Sequence, residues 1–342
     1  CRGTNVLSST SNSDQRIPPV RLLGPWLLAA GVAACAMMGW EVFWRARGFT
    51  PCLRDDPLLW AWTREKVPKR PARPVVILGS SRTQCSIDPD VFARQAGCGK
   101  PCQLALLGQS PVRVLHDLVA DRSFAGVVVC GVSPAIFFAP PQHVWFYDAA
   151  VEKHEQIATS PAQWSEAALT LLLREHLAMQ REELTTQRLW ASAKAGRLPR
   201  PSPNPPRRDR FRPVDFSLVD LDKEIAFVQD WHEKYDRPLE GEALEALFED
   251  VCRAVAELRR RGGDVVFVRM PATKWVLQAE TEHFPRRRFW NVLLRRSGTV
   301  GVHFQEHPQL RGFDCPEGAH IDAADTAEFT RSLVEVLREK GV

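Results

Sequence analysis

The stretch Val75-Val76-Ile77-Leu78-Gly79-Ser80-Ser81-Arg82-Thr83 decides the fold. Four apolar residues, three of them β-branched, read as a short strand buried on both faces. Gly79 breaks it, and two hydroxyl residues follow where a helix would begin. A helix N-terminus carries backbone N–H groups without intrahelical acceptors. In an α/β fold the carboxyl ends of the strands are where ligands bind. A serine at that place is either a nucleophile or a helix cap, and the rest of the chain has to decide between them.

On the carboxyl side, strands and helices alternate. Leu104 to Leu107 reads as a second strand, ended by Gly108. Ser110-Pro111 then caps and opens a helix that carries Val114, Leu115, Leu118 and Val119 on one face. Gly126 to Cys130 is the third strand, Val265 to Val268 the fourth and Val300 to Phe304 the fifth. Leu244, Leu247, Phe248, Val251, Val255 and Leu258 form an amphipathic stripe, and helices are expected over 286–296 and 322–340. The pattern predicts an α/β fold, a five-stranded parallel sheet with helices on both sides. Residues 135–239 form a helical insertion, long enough to cap a site. Within it, Ser160-Pro161 opens a helix running to about Trp190, and the proline-rich basic run 198–210 reads as a solvated linker.

On the amino side, Leu22 to Trp40 is nineteen residues without a charge. At about 1.5 Å per residue that approaches the roughly 30 Å hydrocarbon core of a bilayer. Trp26, Trp40 and Trp44 lie near its ends, where aromatic rings favour the interface. The expectation is one transmembrane anchor over 22–44 after a disordered tail, 1–21; a cleaved signal peptide is the competing reading. A connector, 45–73, follows, with Asp55-Asp56-Pro57 capping a short helix. It leads into a domain over 74–342. Arginines flank the span on both sides, so loop charge does not set its orientation.

Composition excludes some functions. Among 342 residues, 45 are Lys or Arg and 41 are Asp or Glu, a net +4 too balanced for a nucleic-acid binder. Nine cysteines include no CxxC pair, and no His/Cys cluster has zinc-ligand spacing. No metal and no cofactor is expected. Cys98 and Cys102 are either a small disulfide loop or two free thiols.

Three loops fall at the carboxyl ends of the predicted strands. The first holds Ser80-Ser81-Arg82-Thr83, the second Gly108-Gln109-Ser110, and the third, late in the chain, runs from Asp314 to Asp322. The third contains Glu317 and His320 three residues apart. A serine hydroxyl becomes a nucleophile when an imidazole takes its proton, and the imidazole needs a carboxylate to fix its tautomer. Backbone N–H groups of Ser81 and Gly108 would serve the oxyanion. The late loop tips the choice from cap to nucleophile. His116, His176 and His232 read as surface or packing residues, His143 and His154 as lying in an irregular segment, and His303 and His307 as flanking the fifth strand. Gly-Ser-Ser without a following P-loop lysine is only a weak phosphate signal.

With these motifs in view, the chain resembles the SGNH/GDSL hydrolases. The resemblance rests on strand-Gly-Ser-Ser-Arg-Thr, on Leu-Ala-Leu-Leu-Gly-Gln-Ser-Pro, and on Glu-Gly-Ala-His-Ile-Asp with Phe-Thr nine residues after the histidine. It is most similar to the membrane-anchored, extracytoplasmic branch related to polysaccharide O-acetylation and teichoic-acid D-alanylation, over about residues 40–340. The resemblance implies a three-layer flavodoxin-like fold, Ser81 as nucleophile, Gly108 as oxyanion glycine, His320 as base and Glu317 at the acid position, with Asp314 as a rival. The family's third block offers an asparagine to the oxyanion; this chain has Gly131-Val132-Ser133-Pro134, which leaves Ser133 as the candidate donor. The implied activity is ester hydrolysis or O-acyl transfer on a cell-envelope polysaccharide, with a membrane-bound O-acyltransferase as candidate partner and the globular domain outside the cytoplasmic (inner) membrane. The alternative is a non-catalytic SGNH-like subunit of a membrane acyl-transfer complex.

Overall fold

The computed structural model describes residues 19–68, 73–141 and 145–342. The chain divides into two compact units, Cys1–Thr50 and Pro51–Val342. In the first, helix α1 (Pro19–Arg45) contains Leu23–Arg45, 23 residues with an 18-residue window of mean hydropathy 1.6, long and apolar enough to cross a membrane. Near its end Trp40 stacks on Phe43, and Arg45 Nε donates to Glu41 one turn earlier at 2.6 Å. Of the tail expected at 1–21, residues 1–18 lie outside the described residues, as does His143.

The second unit is built on strands β1 (Val75–Leu78), β2 (Cys102–Gln103), β3 (Val127–Val132), β4 (Asp264–Arg269) and β5 (Val300–His303). All pairings are parallel, in the order β2-β1-β3-β4-β5. Helices α2 (Pro57–Glu65), α3 (Ser81–Ser86), α4 (Pro89–Ala96) and α5 (Val112–Ala120) accompany the first two strands. After β3 come α6 (Pro134–Phe137), α7 (Trp145–Thr159), α8 (Pro161–His176), α9 (Thr186–Lys194), α10 (Leu221–Tyr235) and α11 (Gly241–Arg260). The chain closes with α12 (Lys274–His283), α13 (Trp290–Ser297), α14 (Pro308–Arg311) and α15 (Thr326–Glu339).

The pleat explains the layers. Val76 and Leu78 enter one core with Leu115 and Leu118 of α5 and Phe248, Val251 and Val255 of α11. Ile77 points the other way, into a core with Phe92 of α4 and Phe329, Leu333 and Leu337 of α15. A strand buried on both faces must be apolar throughout, which is why β1 reads as an unbroken apolar run. The sheet order reverses between β1 and β3, and such a switch point opens a crevice at the carboxyl ends of the two strands. Ser81 follows β1 and Ser133 follows β3, so both border that crevice.

Two glycines let α3 sit directly on the strand ends. Gly79 has a φ of 153°, and a Cβ at either Gly79 or Gly131 would collide with Thr83 Oγ1. The first turn of α3 therefore packs backbone-close against β1 and β3.

Several boundaries differ from the sequence expectation. The second strand pairs over Cys102–Gln103, and Leu104 N and Leu106 N then donate to Ile77 O and Gly79 O, both at 2.9 Å, as the segment leaves the regular ladder. The long helix expected to reach Trp190 ends at His176, because Leu177 takes extended dihedrals before two 3₁₀ turns and α9. The last helix starts at Thr326; Asp322, expected to open it, instead accepts from Phe216 N at 3.1 Å and Ala324 N at 2.9 Å. Cys98 and Cys102 are free thiols.

Residues 51–68 of the connector and the proline-rich run both belong to the second unit. Trp60 of α2 is fully buried and donates its indole N–H to Leu104 O at 3.2 Å. The run 198–210 is no solvated linker. Arg207 reaches Asp88, Asp90 and Asp209. Arg210 is wholly buried at a φ of 66°, with Nε 2.8 Å from Asp55 Oδ1 and Nη1 donating to Gln103 O at 3.0 Å. Arg207 and Arg210, two of the basic residues that made this run look solvated, are paired with carboxylates at the start of α4 and in the connector.

Candidate active site

Ser80 and Ser81 have opposite fates. Ser80 is the N-cap of α3 by backbone, yet its side chain makes no cap bond. It is 1% exposed, and its hydroxyl lies 2.8 Å from Ser133 Oγ. Ser81, one residue on, turns outward into a cavity.

His320 Nε2 lies 2.9 Å from Ser81 Oγ, across 239 residues of chain. On the other side of the ring, Nδ1 pairs with Glu317 Oε1, and the same oxygen accepts the His320 backbone N–H at 2.8 Å. Glu317 is 1% exposed. A carboxylate facing Nδ1 keeps the proton on that nitrogen and leaves the Nε2 lone pair toward the serine. Gly318 makes the tight turn between acid and base, with a φ of 102° and no room for a Cβ beside Val276.

Asp314, the rival acid, lies elsewhere. Thr273 Oγ1 donates to it at 3.1 Å and Lys274 Nζ at 3.2 Å, and its side chain is 61% exposed. Its role is to tie the loop to the start of α12, where Thr273 N also donates to Gly318 O at 3.0 Å. The imidazole's carboxylate is Glu317.

Gly108 borders the same cavity with a φ of 64°. Among the described residues, neither its N–H nor that of Ser81 donates to a backbone carbonyl. These two donors are available to an oxyanion. Ser133 is not a third. Its hydroxyl is buried and turned to that of Ser80, and the side chain of that segment that reaches the cavity is Ile136.

Helix α3 is pinned by buried charge. Arg82 Nη1 donates to Glu280 Oε2 at 3.2 Å, and Arg269 Nη2 reaches the same carboxylate at 2.5 Å. Burial pushes the Glu280 carboxyl upward, but the two guanidiniums outweigh it and hold it below its usual range. Gln84 Nε2 donates to Asp55 Oδ2 at 2.6 Å and to Arg210 O at 3.0 Å. Three of these supports were not visible as site residues. Asp55, Arg210 and Glu280 stand in a connector, an insertion and a surface-like helix, and only the closed fold brings them to α3.

The cavity holds about 570 Å³ and is bounded by Ser81, Gly108 and His320 on one side and by α10 on the other. Helix α10 supplies Glu224, Phe227, Val228 and Trp231. Their i, i+3, i+4, i+7 spacing, behind the Asp220 cap, is a signal for an amphipathic helix, which the sequence reading left inside the insertion without a boundary. His232, expected on a surface or in packing, also borders the cavity, and its Nδ1 lies 3.3 Å from Asp236 Oδ2. His116 and His154 face Asp250 and Glu65. Among the described residues no group of His, Cys, Asp and Glu is arranged to hold a metal ion. No family model and no curated protein sequence matches the chain, so the reading of this site rests on its geometry.

Proposed function

We propose that the protein is a serine ester hydrolase or O-acyltransferase of the SGNH type, anchored by α1 and acting outside the cytoplasmic membrane on an O-acylated envelope glycan. The observation that carries the proposal is the alignment of Ser81 Oγ, the His320 ring and Glu317, with 2.9 Å between hydroxyl and imidazole. It favours an enzyme over a non-catalytic subunit, for which nothing requires the two groups to meet. The strand order, with two at the edge, then one, three, four and five, is that of flavodoxin-like sheets and supports the fold assignment.

In the proposed reaction His320 Nε2 takes the Ser81 proton as Oγ bonds to the ester carbonyl carbon. Glu317 stabilises the imidazolium, and the carbonyl oxygen, now an anion, accepts from the N–H groups of Ser81 and Gly108. Collapse breaks the ester C–O bond, and His320 returns the proton to the departing alcohol. Water or a sugar hydroxyl, deprotonated by the same ring, then attacks the acyl-enzyme and releases Ser81. With Ser133 turned away, the oxyanion has two backbone donors; a further donor is worth about 10²–10³ in rate where enzymes have one.

A membrane-impermeant fluorophosphonate applied to spheroplasts tests the proposal. The expected result is a covalent label on the wild type and none on Ser81→Ala. A label that persists in Ser81→Ala would overturn the nucleophile, and one that appears only after lysis would overturn the extracytoplasmic placement.

A further inference from the structure

The cavity beside Ser81 is far larger than an acetyl ester needs. Its volume of about 570 Å³ equals roughly nineteen water-sized groups, whereas an acetyl group has three heavy atoms. Much of its wall is apolar: Leu107, Ile136, Phe227, Val228 and Trp231 line it together with Cys85. Burial pushes the Cys85 thiol up to about 12, so it stays protonated and behaves as a small apolar surface.

Three of the polar side chains around the cavity are tied to protein partners. Arg82 is paired with Glu280, His232 with Asp236, and Asn204 Oδ1 accepts from Asp215 N at 3.1 Å. Arg212 and Glu224 supply the remaining charge. A sugar ring pressed against the wall of Leu107, Ile136, Phe227, Val228 and Trp231 would lose water from its hydroxyls and gain no partner from those side chains, which is costly. A hydrocarbon chain gains from the same walls. Phe227 is 65% exposed and Leu107 38% exposed at the edge of this cavity, so apolar surface continues outward from it. Exposed aromatic and aliphatic side chains around a concave site mark where an apolar ligand enters.

We infer that the acyl group transferred to Ser81 is a medium-length hydrocarbon chain lodged against α10, and that Phe227 and Trp231 set its length. The inference rests on the proposed ester chemistry and adds the class of acyl group. The carbonyl carbon meets Ser81 Oγ, its oxygen turns to the Ser81 and Gly108 N–H groups, and the chain runs along Val228 and Trp231. The alcohol leaves on the His320 side toward solvent.

The test uses the full-length chain in detergent and two series of esters. One varies the acyl chain from about two to ten carbons on a fixed p-nitrophenol, each buried methylene being worth about fourfold in kcat/KM. The expected gain from acetate to hexanoate is therefore on the order of 10², and Trp231→Ala lowers the hexanoate-to-acetate ratio by about tenfold or more. Phe227→Ala, at an exposed position, lowers the same ratio by a smaller factor without risk to the fold. The other series keeps the acetyl group and lengthens an alkyl alcohol, and its kcat/KM is expected to stay flat. Fluorophosphonate labelling of Ser81 reports in each variant that the site is assembled. A labelled enzyme whose acyl series is flat or falling overturns this inference alone, and a climb confined to the alcohol series assigns the apolar wall to the leaving group instead. Absence of label on the wild type would overturn the ester chemistry itself.

Discussion

Glu317 has a position that Asp314 does not: it is buried, it touches Nδ1 of His320, and it also accepts that residue's backbone N–H. Replacing it with Gln keeps the shape but removes the charge and can hold the ring in the wrong tautomer. Glu317→Gln is therefore expected to lower kcat by about 10²–10⁴ with little change in KM. Asp314→Asn is expected to stay within about twofold, since its partners are Thr273 and Lys274. Steady-state hydrolysis of an activated ester checks both, and equal losses would remove the distinction drawn between the two carboxylates. Ser81 and His320 were legible because a strand, a glycine and a hydroxyl on one hand, and a late loop histidine on the other, have few other uses together. The choice between two carboxylates three and six residues before the histidine was not legible. It depends on the turn at Gly318, which folds Glu317 back onto the ring. The direction of the Ser133 hydroxyl was equally hidden, because its partner, Ser80, lies on another strand end.

At the scale of elements, α3 owes its position to two missing side chains. Gly131→Ala would thrust a methyl into Thr83 Oγ1 and lift the helix that carries Ser81. The expected cost is about 1–3 kcal/mol of overpacking. Adding Thr83→Ala should recover part of it, so that the double variant is more stable than the sum of the singles. Denaturant unfolding of the four proteins checks this, and strict additivity would deny the contact. The strands of this layer could be read from sequence because a doubly buried strand must be apolar. For helix α10 the same reading finds an amphipathic helix but not what its apolar face meets. Its stripe of Phe227, Val228 and Trp231 faces a cavity, and a stripe facing a cavity has the same period as one facing a core.

At the scale of the whole molecule, stability is linked to pH through His303 at the end of β5. It is 5% exposed, and burial, aided by the charges of Arg269, Arg286 and His307, lowers its pKa from 6.5 to about 3. The folded state thus keeps this ring neutral where the unfolded chain would protonate it. Its contribution is complete above pH 6.5 and is lost as pH falls from there toward about 3. Over that window the wild type should lose up to about 1.4 kcal/mol per pH unit more than His303→Gln does. Urea midpoints of both proteins between those limits check it, and parallel curves would refute it. The alternation of strands and helices made the architecture legible at this scale. The embedding of 51–68 and 198–210 was not, since prolines and arginines look the same in a linker as in a segment tied down by Asp55, Asp88 and Asp90.

The span of 239 residues between Ser81 and His320 has one further consequence, for the order in which the protein is made. A nascent polypeptide extended as far as Gly318 already holds Ser81, Gly108, all five strands and Glu317, but not His320. Under the proposed chemistry, a translation product ended before residue 320 carries a serine that remains an ordinary alcohol.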